Sequence, residues 1–136
     1  MPASSQRTSK PSAKPRAERL AKTRSPSGQP FLRFYHSESL RAKTLAVIST
    51  LEKAKGKTDH RDALADIVVE LTDAGMEYYF LRPLKIAKAG FMTEQSANLG
   101  MAATTRVLGT VIRSIIGRMD SAQLLSVCKY IRQLMK

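Results

Sequence analysis

From residue 31 onward the large apolar residues recur every three or four positions, and no stretch alternates apolar with polar at every second position. A spacing of three and four lines up one face of a helix, whereas a half-buried strand needs a period of two, so this part of the chain is predicted all-α. The first helix is expected over about 37–55. Ser37 caps it, Glu38 sits at the positive end of the dipole, and Lys53 and Lys55 lie near the negative end before Gly56. Its apolar face is Leu40, Val47, Ile48, Leu51 and Ala54. The second runs from 58 or 59 to 81 or 82, because Pro83 disfavours helical geometry in the residue before it. It presents Leu64, Ile67, Val68, Leu71, Gly75 and Tyr78. Residues 83–90, with proline first and glycine last, read as a short connecting helix, or as the continuation of one longer helix kinked at Pro83.

The third helix is expected over about 93–118, with Leu99, Val107, Leu108, Val111, Ile112, Ile115, Ile116 and Met119 turned to the core. Ser96, Ala97, Gly100, Ala103 and Thr104 make its first half slim enough for a neighbour to approach closely. The last helix has the clearest start. Asp120 is the cap, Gln123 completes a capping box, and Met119 is placed to staple onto Leu124 across it. Leu124, Val127, Cys128, Ile131, Leu134 and Met135 then face inward. The expected architecture is an antiparallel bundle of four main helices with a short connecting helix.

Residues 1–30 obey different physics. They hold five of the six prolines, six serines and seven bases, against the single acid Glu18, with no aromatic and Leu20 as the only large aliphatic residue. Such a segment buries too little apolar surface to offset roughly 1 to 2 kcal/mol of backbone entropy per residue, so a disordered basic tail is predicted ahead of a helical domain at 31–136. Its composition also suits an organelle transit peptide, although Pro11 and Pro15 interrupt the amphipathic helix such a peptide needs. No apolar run follows the basic start, and Arg106 and Arg113 interrupt the apolar stretch 99–116, so neither a secretory signal nor a membrane span is expected. One cysteine in the chain is most simply matched to a reducing, cytoplasmic setting.

The formal net charge of +12 points to polyanionic partners. Arg7, Lys10, Lys14, Arg16, Arg19, Lys22 and Arg24, with Arg33 just beyond, are the candidate contacts. They form no base-reading arrangement, so nucleic-acid binding is expected to be sequence-nonspecific, with a log–log salt slope approaching about −6 if all seven tail bases meet duplex phosphates. An anionic membrane surface is the alternative target, with Phe31, Leu32, Phe34 and Tyr35 as the apolar element that stable attachment requires. The same aromatics, interleaved with Arg33 and His36, suit stacking on exposed bases or packing onto the bundle. Tyr78, Tyr79 and Phe80 are consecutive on a helix, so at least one of Tyr79 and Phe80 must leave the buried face.

The most specific pattern is acidic. Asp59, Asp62, Asp66, Glu70, Asp73 and Glu77 are spaced 3, 4, 4, 3 and 4 apart, which confines them to an arc of about 80° on the second helix. Carboxylates so placed repel one another and gain from a basic neighbour. Lys129 and Arg132 on the last helix, with Lys136, and Arg106 and Arg113 on the third are candidates, within one bundle or between two copies of a homo-oligomer. A merely solvated face is the plainer reading. No Glu-x-x-His motif accompanies the acids, so no metal is expected. His36 and His60 have no zinc spacing, and Cys128 lies on an apolar face. With no phosphate loop and no nucleophile elbow, the chain reads as a non-catalytic, self-associating binding or scaffolding module without cofactor or small-molecule substrate.

Overall fold

The computed structural model describes residues 28, 29 and 33–136; from residue 38 on these are largely helical, and there is no strand among the described residues. Helix α1, Glu38–Lys53, is capped by the Ser37 hydroxyl, which accepts from the Leu40 N–H at 3.1 Å. It ends where Lys55 and Gly56 both turn left-handed (φ 55° and 72°), with Lys55 N–H donating to the Glu52 carbonyl and Gly56 N–H to that of Leu51. These two bonds satisfy carbonyls that a helix end would otherwise leave orphaned. A 3-10 turn, Thr58–His60, leads into α2, Arg61–Met76.

The rod does not stop before the proline. It passes through a π-turn, Glu77–Leu81, straight into the short helix α3, Arg82–Ile86. Of the two readings of residues 83–90, the continuous one describes the structure. Pro83 has no N–H to donate and its ring crowds the carbonyl four residues back, that of Tyr79. Widening the preceding turn, so that Arg82 N–H donates to Glu77 five residues away, removes the conflict without breaking the rod. Lys88 (φ 50°) and Gly90 (φ 96°, ψ 155°) then reverse the chain. Gly90 occupies a region open essentially to glycine alone.

Helix α4, Phe91–Ile116, returns antiparallel to α2, as the pairs Asp66–Arg113 and Asp73–Thr105 show. Gly109 is buried against Val69 and lets the two backbones approach. Helix α5, Ser121–Leu134, begins with the reciprocal bonds of a capping box: Gln123 N–H to Asp120 Oδ1 at 2.8 Å and Asp120 N–H to Gln123 Oε1 at 2.9 Å. Helix α1 packs against α2 on one side and α5 on the other. Two arginines tie the ends together: Arg61 donates through Nε and Nη2 to the Met119 carbonyl, and Arg41 in the same way to that of Met135. Arg61, the one Lys or Arg among the acids of α2, is thus turned away from them.

The core is concentrated at one end. Ile48 and Leu51 of α1, Leu64, Ala65 and Ile67 of α2, Ile116 at the end of α4, and Leu124, Cys128 and Ile131 of α5 are buried. Thr44 is buried with them, its hydroxyl donating to the Leu40 carbonyl at 2.7 Å. The expected inward face of the third helix needs correction. Ile112, Ile116 and Met119 do pack inward, but Leu99, Val107, Leu108, Val111 and Ile115 are exposed. Two things expose them. Leu99 lies in the roughly 15 Å by which the 26 residues of α4 outrun the 16 and 14 of α1 and α5 at 1.5 Å per residue, whereas Val107, Leu108, Val111 and Ile115 lie level with Gly109, Ile112 and Ile116 but turn away from the side through which α4 packs. Leu134, expected inside, is exposed as well, and Ala54 is half-buried.

Gly56 is the most constrained position at this end. A Cβ there would lie 2.5 Å from the Ser121 carbonyl oxygen, in a backbone already left-handed. Gly56→Ala is expected to destabilise by about 2 kcal/mol or more, the left-handed conformation alone accounting for about 1 to 2. Urea denaturation followed by circular dichroism measures it, and an unchanged midpoint would contradict this packing.

Candidate polyanion interface at the tail junction

Of the expected polyanion contacts, Arg7, Lys10, Lys14, Arg16, Arg19, Lys22 and Arg24 lie outside the described residues, as do Phe31 and Leu32. Arg33 is described and exposed. Directly after it, residues 34–37 run without regular structure to the α1 cap and meet the π-turn. The wide turn sets Tyr78 and Tyr79 edge to face, 5.3 Å between centroids at 87°. Phe34 inserts beside them, 6.4 Å from Tyr78 and 6.2 Å from Tyr79. Gly75 lies beneath its ring, where an added Cβ would stand 3.7 Å away. Ring pairs at these separations contribute about 0.5 to 1.5 kcal/mol each beyond burial. Phe34 therefore packs onto the rod, which was one of the two readings of this segment.

Tyr35 does something else. Its ring meets Tyr78 at 6.0 Å yet remains 81% exposed. The Arg82 guanidinium stands 5.3 Å from the Tyr78 centroid, within cation–π range. Tyr35, His36, Tyr78, Arg82, Lys85 and Glu77 thereby line an open cleft of about 510 Å³. The His36 ring Nδ1 lies 3.1 Å from the Ser37 carbonyl, a contact that orients it along the wall. Phe80 and Tyr79 are both exposed, where three consecutive aromatics require at least one of them to be. Nothing in the spacing of the sequence joins residues 34–36 to 78–85. The π-turn does so, and no composition signal marks it.

The acidic edge divides into parts. Glu70 accepts from Lys43 of α1, Asp66 pairs with Arg113 of α4, and Asp73 accepts from the Thr105 hydroxyl at 3.0 Å. The middle of the edge is thus spanned from both sides within one molecule. These pairs are about half exposed, so each contributes about 0 to 1 kcal/mol and sets register more than stability. Asp59, Asp62 and Glu77 are exposed, Glu77 on the wall of the aromatic cleft. Lys129 is exposed, and Arg132 makes a two-pronged bond to Glu52 at 2.7 and 3.1 Å and reaches Ser49 at 3.2 Å. The last helix therefore spends its arginine on α1 and not on the acids of α2.

Among the described residues, no three His, Cys, Asp or Glu side chains gather into a metal-binding group. Cys128 is buried, and that burial, with the Glu52 carboxylate adding and Arg132 opposing, raises its thiol above the ordinary range. A protonated, enclosed thiol is a poor nucleophile. Comparison with protein-family models, with curated proteins and with solved structures returns no match for this chain.

Alkylation of Cys128 by iodoacetamide at pH 8 is expected to run roughly a hundredfold or more slower in the folded chain than in urea, because it waits on opening of the core. Equal rates would contradict its burial. The raised thiol also implies stability that is full below about pH 9 and is lost as pH rises through the higher folded value.

Proposed function

We propose that this chain is a non-catalytic binding module that holds single-stranded nucleic acid without reading its sequence, on a helical-bundle scaffold in the cytoplasm. The observation that carries the reading is the cleft where exposed Tyr35 stands beside Tyr78, Arg82 and Lys85, at the point where the seven-base N-terminal segment joins the helices. Aromatic faces accept any base, at about 1 to 3 kcal/mol per stacked base, and flanking cations follow the phosphates. The N-terminal bases add nonspecific attraction that weakens with salt. Nothing in this arrangement needs a cofactor or a small-molecule substrate.

Deleting residues 1–30 is expected to abolish a salt-sensitive gel shift of an oligothymidine while leaving the helical circular dichroism spectrum intact. Tyr35→Ala in the full chain is expected to weaken binding roughly tenfold, the lower half of the stacking range. Unchanged affinity in both variants would refute the proposal.

A second reading rests on a different observation. Ile86, Phe91 and Met92 are 74 to 76% exposed, at the turn that also carries Lys85 and Lys88. An apolar tip flanked by bases suits an anionic membrane surface. That reading predicts cosedimentation with anionic but not neutral vesicles, and equal recovery in both supernatants would count against it.

A further inference from the structure

The ring faces and cations of the aromatic cleft are blind to sequence, yet one group in the same cleft is not. Glu77 stands on its wall with Tyr35, Tyr78, Arg82 and Lys85. The three acids before it on α2 are engaged from neighbouring helices, Asp66 by Arg113, Glu70 by Lys43 and Asp73 by Thr105. Glu77 is exposed, and among the described residues its carboxylate takes part in no ion pair. Arg82 is the nearest counter-ion in the chain. Its N–H donates to the Glu77 carbonyl across the π-turn, but its guanidinium stands 5.3 Å from the centroid of Tyr78. The cleft thus holds a cation and an unneutralised carboxylate together.

A carboxylate weakens a site for phosphates, so its use must lie elsewhere on the strand. An ionised carboxylate accepts hydrogen bonds and donates none, and the donors that a DNA strand offers it are the N–H groups on its base edges. A base stacked on Tyr35, with its phosphates drawn to Arg82 and Lys85, turns such an edge to the cleft wall. Guanine alone sets two donors side by side there, N1–H and N2–H, matching the two carboxylate oxygens. Adenine and cytosine place a ring-nitrogen lone pair beside their one amino group, and thymine flanks its one N–H with two carbonyls, so each of the three sets a lone pair against the anion. Two-pronged bonds to an ionised group are the strong kind.

We infer that Glu77 is a specificity-determining residue, accepting from N1–H and N2–H of one guanine stacked on Tyr35. It adds a bias at a single nucleotide to binding that is otherwise indifferent to sequence. The inference rests on the single-strand reading of the cleft and goes beyond it in naming the base.

The test compares binding of the full chain to oligothymidine and to strands of equal length in which every second thymidine is replaced by dG, dI or dC, in lithium salt to avoid guanine quartets. Hypoxanthine, the base of dI, is a purine that keeps N1–H and lacks the N2 amino group, so it separates the carboxylate contact from purine stacking. An open cleft belongs near the lower end of what a bidentate pair discriminates, about tenfold. Half of the registers still place thymine in the cleft, so the dG strand is expected to bind about fivefold tighter than oligothymidine, dI well below that and dC equal to oligothymidine. Glu77→Ala lies at an exposed helical position that alanine favours. It is expected to bind the dG strand and oligothymidine equally, and oligothymidine at least as tightly as wild type does, because a negative charge has left the cleft. Equal binding of all four strands, a dG preference shared in full by dI, or one that survives Glu77→Ala overturns the inference and leaves the single-strand reading standing. Failure of every strand to bind overturns both.

Discussion

The constraint on which this structure turns is a mismatch of length. Helix α4 has 26 residues, and the helices that close the core beside it have 16 and 14. At 1.5 Å per residue that is about 39 Å against about 24 and 21 Å, so only one end of the α2–α4 pair is enclosed. The buried apolar residues accordingly fall in 48–67 and 116–131. Beyond them the two long elements lean on each other through Gly109 against Val69 and the Asp73–Thr105 bond, with Phe34 and Tyr35 added at the π-turn. The N-terminal half of α4, the aromatic cleft on the π-turn and the apolar tip around Ile86 and Phe91 lie on residues that α1 and α5 are too short to enclose, while Val111 and Ile115 are exposed because they turn away from the packed side of α4.

Charge is arranged around this shape. The acids of α2 are engaged at the middle of their edge by Lys43 and Arg113, which hold α1 and α4 to either side of one helix. Such half-exposed pairs add little net stability, yet a wrong register would set carboxylate on carboxylate and lose both partners. With those acids partly neutralised internally, the chain's excess of bases is left to the N-terminal segment and to cations such as Arg82 and Lys85 on the aromatic cleft.

Much of the helical framework was legible in the sequence, and the misses have physical causes. Ser37, Asp120 and Gln123 announce their helix starts because capping is local chemistry, decided within four residues. Most inward positions of α1, α2 and α5 follow from periodicity for the same reason, Leu134 at the last residue of α5 being the exception. Periodicity tells which side of α4 is apolar but not whether a neighbour covers it, and Val107 and Val111 show the difference. Pro83 reads as a stop because its clash is local, whereas the remedy, a widened turn over Glu77–Leu81, redistributes bonds across the preceding five residues. The candidate cleft was half legible: both aromatic groups stand out, but their meeting depends on that turn. Thr44 reads as polar and is buried, because its hydroxyl bonds its own helix.

Amide hydrogen–deuterium exchange tests the length mismatch most directly. Amides in 44–53, 62–67 and 124–131 are expected to exchange only by global unfolding, and those in 91–103 substantially faster, through local opening of the unenclosed end. Equal protection along the whole of α4 would mean that the far end is held as firmly as the core, and the account would be wrong.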